Sequence, residues 1–253
     1  MAERGVHCYR HREKLSPAYP FTSCGKPGMV PYPTSMDTSR FAFFDVDHTL
    51  TRHSTGRRFA FFGVRKGVFP ISALLTMPFY YTCYRIGFMP IRNLDRSFPF
   101  LKGKTKEELE ELAAITFEQW IQKDVYPEAA RLIKTLQARG TRVILASSTL
   151  DMLVQPLARY LEVEDYISSS LEFLDHRSTG NLIGFPAFGD EKKRFVLEFL
   201  SRNSGSPEEC SFYSDSITDL PLLEAVAHPM AVNPDPRLFL VAKKRGWPIL
   251  RFH

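Results

Sequence analysis

Cysteine is scarce in this chain: Cys8, Cys24, Cys83 and Cys210 are the only four in 253 residues. No two form a C-x-x-C pair and no histidine spacing completes a zinc site, so the thiols read as free in a reducing cytosol. A secretory leader is not expected either, because Glu3, Arg4, His7 and Arg10 stand among the first residues with no apolar run. Apolar stretches of the ~20 residues that span a bilayer are also lacking. The nearest, residues 68–89 (VFPISALLTMPFYYTCYRIGFM), is broken by Pro70, Pro78, Arg85 and Gly87. The net charge of +5 is not gathered into a stripe; Lys and Arg are spread along the chain, with some clustering between residues 52 and 66. A nucleic-acid partner is therefore not expected, whereas attraction to an anionic substrate or membrane surface is compatible with the charge. There is no internal repeat.

What is present is ordinary globular material, 44% hydrophobic, enough for one medium domain or a core with a small accessory domain. Residues 1–36 read as an irregular N-terminal extension, punctuated by Pro17, Pro20, Pro27, Pro31 and Pro33. Met36 offers an alternative translation start. Phe41 to Phe44 reads as a buried strand running into acidic residues. Residues 57–121 differ in character, being apolar, aromatic and basic, and read as a helical insertion between two parts of a core, 37–56 and 122–253. Within the insertion, Thr105 and Glu108 form a capping box for a helix whose Leu109, Leu112, Ala113, Trp120 and Ile121 share a face. Beyond residue 126, helix and strand alternate. A helix starts at Pro127 and stops at Gly140, and a strand covers Val143–Ala146. Asp151 caps a helix interrupted by Pro156, and Ser178-Thr179-Gly180-Asn181 signals the turn of a hairpin within 171–186. A helix over 191–202, a strand over 211–214, a helix over 220–226 and a strand over 230–232 complete the pattern. Alternation of this kind predicts an α/β fold with a parallel sheet covered by helices. Ligands of such sheets bind beyond the carboxyl ends of the strands, where Asp45, Ser147 and Asp215 are expected.

The chemistry-bearing residues follow from that placement. Asp45 and Asp47, in Asp45-Val46-Asp47-His48-Thr49, supply a nucleophile for covalent phosphoryl transfer and a second carboxyl to protonate the leaving oxygen. A carboxylate approaching a phosphate is repelled, and Mg²⁺, which prefers carboxylate and phosphate oxygens, is the cation suited to offset this. Ser147, Ser148 and Thr49 are candidates to hold phosphate oxygens, with nearby backbone N–H groups. Lys192 can neutralise charge, and Lys193 and Arg194 have the same local claim. In Ser214-Asp215-Ser216-Ile217-Thr218-Asp219, one carboxylate can ligate a metal and the other can orient the lysine or the ligand shell. Each pattern also has an ordinary alternative: a solvated acidic turn, helix caps at Thr49, Ser147 or Asp219, and a solvated lysine.

The order D-x-D-x-T, serine after a strand, lysine, then D-x-x-x-D after a strand resembles the haloacid dehalogenase superfamily over roughly residues 40–250. More narrowly it is similar to the phosphoserine-phosphatase-like subfamily IB. Phe43 to Thr51, Ala146-Ser147-Ser148, Ser178-Thr179-Gly180, Gly189 to Lys192, Val232 to Leu238 and Arg245 to Leu250 carry that likeness. The resemblance implies a Rossmann-like core with an inserted helical cap at about 57–121. It implies that Asp45 forms the aspartyl-phosphate, that Asp47 acts as general acid and then base, and that Ser147 holds the phosphoryl group. Lys192 would neutralise charge. Mg²⁺ would be bound by Asp45, the Asp47 backbone carbonyl and Asp215, with Asp219 supporting the shell.

Some residues depart from the family pattern. His48 stands where small residues are common, and Ser214 where glycine often precedes the metal-binding aspartate. Ser54 stands where phosphoserine phosphatases place a glutamate that can pair with the substrate ammonium, and Ser148-Thr149 where they carry Gly-Gly. His48 and Ser214 remove no charged catalytic group, whereas Ser54 and Ser148-Thr149 speak against phosphoserine as substrate but leave the reaction type untouched. The expected protein is a cytoplasmic hydrolase of a small phosphorylated metabolite, one with an apolar portion if the greasy cap lines the site. That cap, flanked by Arg57, Arg58, Arg65, Lys66, Arg92 and Arg96, would also suit peripheral contact with a membrane. The alternatives are a phosphoserine phosphatase proper, a phosphotransferase using the same intermediate, and a membrane-docked binding protein.

Overall fold

The computed structural model describes residues 8–10, 39–74 and 97–253. Its centre is a seven-stranded sheet in the order β1-β4-β3-β2-β7-β8-β9. These strands are β1 Cys8–Arg10, β2 Phe41–Phe44, β3 Arg142–Leu150, β4 Asp165–Ser169, β7 Cys210–Ser214, β8 His228–Val232 and β9 Ile249–Leu250. Six strands are parallel, and β1 alone is antiparallel, on the edge of β4. The segment expected to be irregular therefore contributes a strand. Its backbone pairs with groups that β4 would otherwise leave open as a sheet edge.

Central strand β2 is buried on both faces, and its alternation divides the core in two. Ala42 and Phe44 join an apolar cluster with helices α3 (Pro127–Ala138) and α4 (Asp151–Tyr160). Phe41 and Phe43 join a second cluster with α5 (Asp190–Arg202), α6 (Leu220–Leu223) and α7 (Pro236–Arg245). A two-sided apolar strand of this kind belongs in the middle of a parallel sheet with helices on either side.

The described part of the insertion has α1 (Thr55–Arg65) and α2 (Lys106–Thr116), with a 3₁₀ turn at Pro99–Leu101. The capping box is formed as expected: the Thr105 hydroxyl accepts from Glu108 N–H at 3.2 Å, and Glu108 accepts from Thr105 N–H at 2.8 Å. A π-helical turn, Phe117–Ile121, follows α2. It directs Trp120 between Phe61 and Phe62, beneath the Arg58 guanidinium. Phe59, Phe62, Leu109, Leu112, Phe117 and Ile121 share one continuous apolar cluster with Phe44, Leu153 and Leu157. Much of the apolar stretch 68–89, on which the lipid-facing expectation rests, lies outside the described residues. Among those described, no helix is long and apolar enough to cross a membrane.

Several expectations need correction. The hairpin β5 (Leu171–Leu174)–β6 (Arg177–Leu182) turns at Asp175 and His176, with φ of 47° and 64°, and Ser178 to Asn181 lie within β6. A two-residue turn with both φ positive matches the strand twist, and Asp and His tolerate that region better than most residues. Strand β3 runs on to Leu150 through a register shift after Ala146, so Ser147 is part of it. Leu150 occupies the cap position of α4, and Asp151 is its first residue, accepting from Met152 N–H at 2.7 Å. The helix expected over 220–226 is a 3₁₀ turn, Ile217–Asp219, followed by the single turn of α6. Strands β4 and β9 carry no clear apolar pattern and were not expected.

Candidate active site

Parallel register brings the site together. Phe44 pairs with Leu145 on one side and with Tyr213 on the other, so the residues after these positions share one edge of the sheet. Beneath that edge the rings of Phe44 and Tyr213 stack at 4.2 Å. Asp45 follows directly, its N–H donating to the Tyr213 carbonyl at 2.9 Å. The chain then turns sharply, with the Val46 carbonyl accepting from Leu50 N–H at 2.8 Å and Thr51 N–H at 3.1 Å. His48 sits in this turn with φ of 63°, a backbone that rewards small residues and admits histidine.

Lys192 is the inward-facing cation of α5. Its side chain is 3% exposed, and its Nζ donates to Asp45 Oδ1 and to Asp219 Oδ2, each at 2.8 Å. Arg194 instead pairs with Glu191 and Glu198 at the surface. Ser214, the residue in place of the family's glycine, donates its hydroxyl to the same Asp219 oxygen at 2.7 Å. The departure thus adds a donor to the site. The other oxygen of Asp219 is buried with no hydrogen-bond partner among the described residues.

Asp215 is held by three hydrogen bonds with two residues, Thr49 and Asp235. Its N–H donates to Thr49 Oγ1 at 2.9 Å, Thr49 Oγ1 donates to its Oδ1 at 3.4 Å, and its carbonyl accepts from Asp235 N–H at 2.7 Å. Thr49 is fully buried and its hydroxyl is used at Asp215. It was expected to hold phosphate oxygens; in the structure its hydroxyl meets Asp215. Asp235 was not singled out from the sequence. It braces the loop by accepting from Ile217, Arg237 and Leu238 N–H groups, each at 2.9 Å. Asp47 sits at the rim, half-buried, and its Oδ1 accepts from Thr55 N–H at 2.9 Å and Thr55 Oγ1 at 2.7 Å. Ser147 is buried and its Oγ accepts from Thr149 N–H at 3.1 Å, while the Ser148 side chain is exposed.

The electrostatics are unbalanced. Asp45, Asp215 and Asp219 are three buried acidic side chains, and the one buried ammonium, Lys192, bonds two of them, Asp45 and Asp219. Burial, then the charges of Asp219 and Asp47, push the Asp45 carboxyl up to about 7 against the pull of Lys192. Burial, Asp45 and Asp219 likewise raise Asp215 well above the usual range. Burial alone would lower Lys192, but Asp219 and Asp45 outweigh it and hold the ammonium above its ordinary value. Among the described residues, no three His, Cys, Asp or Glu side chains form a ready metal cage. Mg²⁺ does not need one, since it commonly takes one or two carboxylates and completes its shell with water and substrate phosphate. Two raised carboxylates at one sheet edge fit that donor set.

The sequence matches the family described as haloacid dehalogenase-like hydrolase over residues 42–224. It is 30% identical to a histidinol-phosphatase of Neisseria meningitidis over 220 residues, covering 83% of this chain and 98% of the relative. A protein of unknown function from Bordetella pertussis superposes with a TM-score of 0.73 at 28% identity, covering 84% and 98% of the two chains. A phosphoserine phosphatase in apo form shares the fold, with a TM-score of 0.60 at 17% identity over 84% and 93%.

Proposed function

Because the chain belongs to the haloacid dehalogenase-like hydrolases, we propose that it hydrolyses a small phosphate monoester through an aspartyl-phosphate on Asp45. The observation that carries this reading is the Lys192 ammonium, buried between Asp45 and Asp219 at 2.8 Å from each, at a sheet edge shared with Asp215. An amine in that position clamps the nucleophile and offsets its charge as a phosphate approaches. Asp47, on the rim, serves as the acid for the leaving oxygen and then as the base for water. Ser147 and Ser148 present hydroxyls to the phosphoryl oxygens. Asp45, Asp215 and the Asp47 backbone carbonyl would hold Mg²⁺, which when bound supplies positive charge against phosphate. In this reading residues 57–121 act as a cap over a core made of 37–56 and 122–253.

The histidinol-phosphatase relative supports a compact phosphorylated metabolite as substrate. Phosphoserine is disfavoured, because Ser54 is the N-cap of α1 and its hydroxyl accepts from Arg57 N–H. It offers a substrate ammonium no charge. The test is a phosphate-release assay with Mg²⁺ over histidinol phosphate, phosphoserine, sugar phosphates, glycerol phosphate and lysophosphatidate, beside Asp45→Asn. The amide is nearly isosteric and a far poorer nucleophile, so activity is expected to fall by more than about a thousandfold. Undiminished activity in Asp45→Asn, or in excess EDTA, would overturn the mechanism.

A further inference from the structure

We propose that Thr55 and Thr149 are positioning residues that fix which oxygen of Asp47 delivers the proton. The inference rests on the reading of Asp47 as the acid and goes beyond it to atoms. Asp47 Oδ1 accepts twice from one residue, at 2.9 Å from Thr55 N–H and 2.7 Å from Thr55 Oγ1. In a neutral carboxylic acid the carbonyl oxygen is the better acceptor, because the hydroxyl oxygen's lone pair is delocalised into it, so the oxygen that accepts two hydrogen bonds is the carbonyl oxygen. Oδ2 is then the atom that bears the proton.

Hydrogen counting extends the chain. A threonine hydroxyl has one hydrogen, and that of Thr55 is spent on Asp47. The 3.2 Å contact between Thr55 Oγ1 and Thr149 Oγ1 therefore runs from Thr149 to Thr55. Thr149 also donates its N–H to Ser147 Oγ at 3.1 Å, which leaves the Ser147 hydrogen free to turn to a phosphoryl oxygen. Thr55 is the first residue of α1 and is 1% exposed, whereas Ser147 and Thr149 belong to β3. One directed chain thus links the start of α1, the acid and the phosphoryl-binding strand.

The step it serves balances simply. An Asp45 oxygen bonds to phosphorus as the bond from phosphorus to the ester oxygen breaks. The electron pair stays on the ester oxygen, which takes the proton from Asp47 Oδ2 and leaves as the alcohol. Asp47, now a carboxylate, takes a proton from the water that attacks the aspartyl-phosphate, releasing inorganic phosphate and the Asp45 carboxylate.

An acid matters only when the leaving group needs a proton. Alkyl phosphates need one, and 4-nitrophenyl phosphate, whose leaving group is a stable anion, does not. The experiment measures kcat/KM for both substrates in the wild type, Thr55→Val, Thr55→Ser and Thr149→Val, with melting temperatures alongside. Since a positioned acid contributes about a hundredfold or more, Thr55→Val is expected to lose at least ~30-fold on the alkyl substrate and under ~3-fold on the aryl one. Thr55→Ser should restore the ratio, and Thr149→Val should shift it in the same direction by less. Equal losses on both substrates, or an unchanged ratio in both valine variants, would overturn the assignment while leaving the phosphatase reading intact. A wild type with no Mg²⁺-dependent release from either substrate would overturn both.

Discussion

At the scale of single residues, the site is a set of charges that do not cancel. Three buried acidic side chains share the sheet edge with one ammonium, which bonds two of them, Asp45 and Asp219, and the fold bears the repulsion. For Asp45 the sign is clear. Its folded pKa, about 7, lies above the unfolded value of about 4. The folded state therefore holds the proton more tightly, and this contribution to stability is lost as pH rises through about 7. Metal-free protein should lose stability between about pH 4 and pH 7 on this account, and a divalent cation that needs the ionised carboxylates should restore it. Melting in EDTA and in Mg²⁺ is the check. The gain from Mg²⁺ is expected to be larger at about pH 8 than at about pH 5, and no gain at either pH would remove the metal from the site. Lys192 was set apart from Lys193 and Arg194 by the family resemblance, whereas Asp45, Asp47, Asp215 and Asp219 were singled out by their places after apolar strands. Thr55 was not. Its bond to Asp47 spans eight residues and a chain reversal, and no spacing rule reports a contact made by tertiary folding.

Elements were legible where local chemistry decides them. Phe41–Phe44 and the Thr105 capping box appear where expected, because a buried apolar run and a cap depend on a few adjacent side chains. The hairpin turn was misplaced because Ser178-Thr179-Gly180-Asn181 resembles a turn while serving another purpose. Gly180 has φ of 82°, and its carbonyl accepts from Phe98 N–H at 2.5 Å. A Cβ there would stand 3.1 Å from the Phe98 carbonyl oxygen. The glycine is required by the close approach of residues 97–105, which also exchange backbone hydrogen bonds with Ser178 through Gly103 and Lys104. Gly180→Ala is expected to cost about 1–2 kcal/mol from the left-handed backbone alone, with more from the contact. Urea unfolding measures it; a loss under ~0.5 kcal/mol would show that the hairpin does not depend on this approach.

On the scale of the whole molecule, the insertion is anchored at its root. Arg58 of α1 grips Asp124, at the return to the core, through Nε at 2.7 Å and a second nitrogen at 2.9 Å. His53 lies 3.0 Å from the same carboxylate. These contacts hold Asp124 below the usual carboxylate range, against the opposing effect of its burial. Arg58→Met is expected to destabilise by about 1–3 kcal/mol, less than for a fully buried pair because Arg58 is part-exposed and His53 stays as a partner. Chemical denaturation of this variant beside Asp124→Asn tests it, and losses that simply add in the double variant would show the two groups to be uncoupled. The parallel α/β plan was legible from alternation, but the depth to which the insertion enters the core was not, since apolar composition does not say which apolar surface it meets. Phe59, Leu109 and Phe117 lie in the cluster that contains Phe44 of the central strand, while residues 97–105 lie against β6. Exchange between relatives is constrained accordingly. A transplanted insertion would arrive without the strand it pairs with and would uncover one face of the recipient's sheet. The smallest portable piece of this architecture is the insertion together with its hairpin.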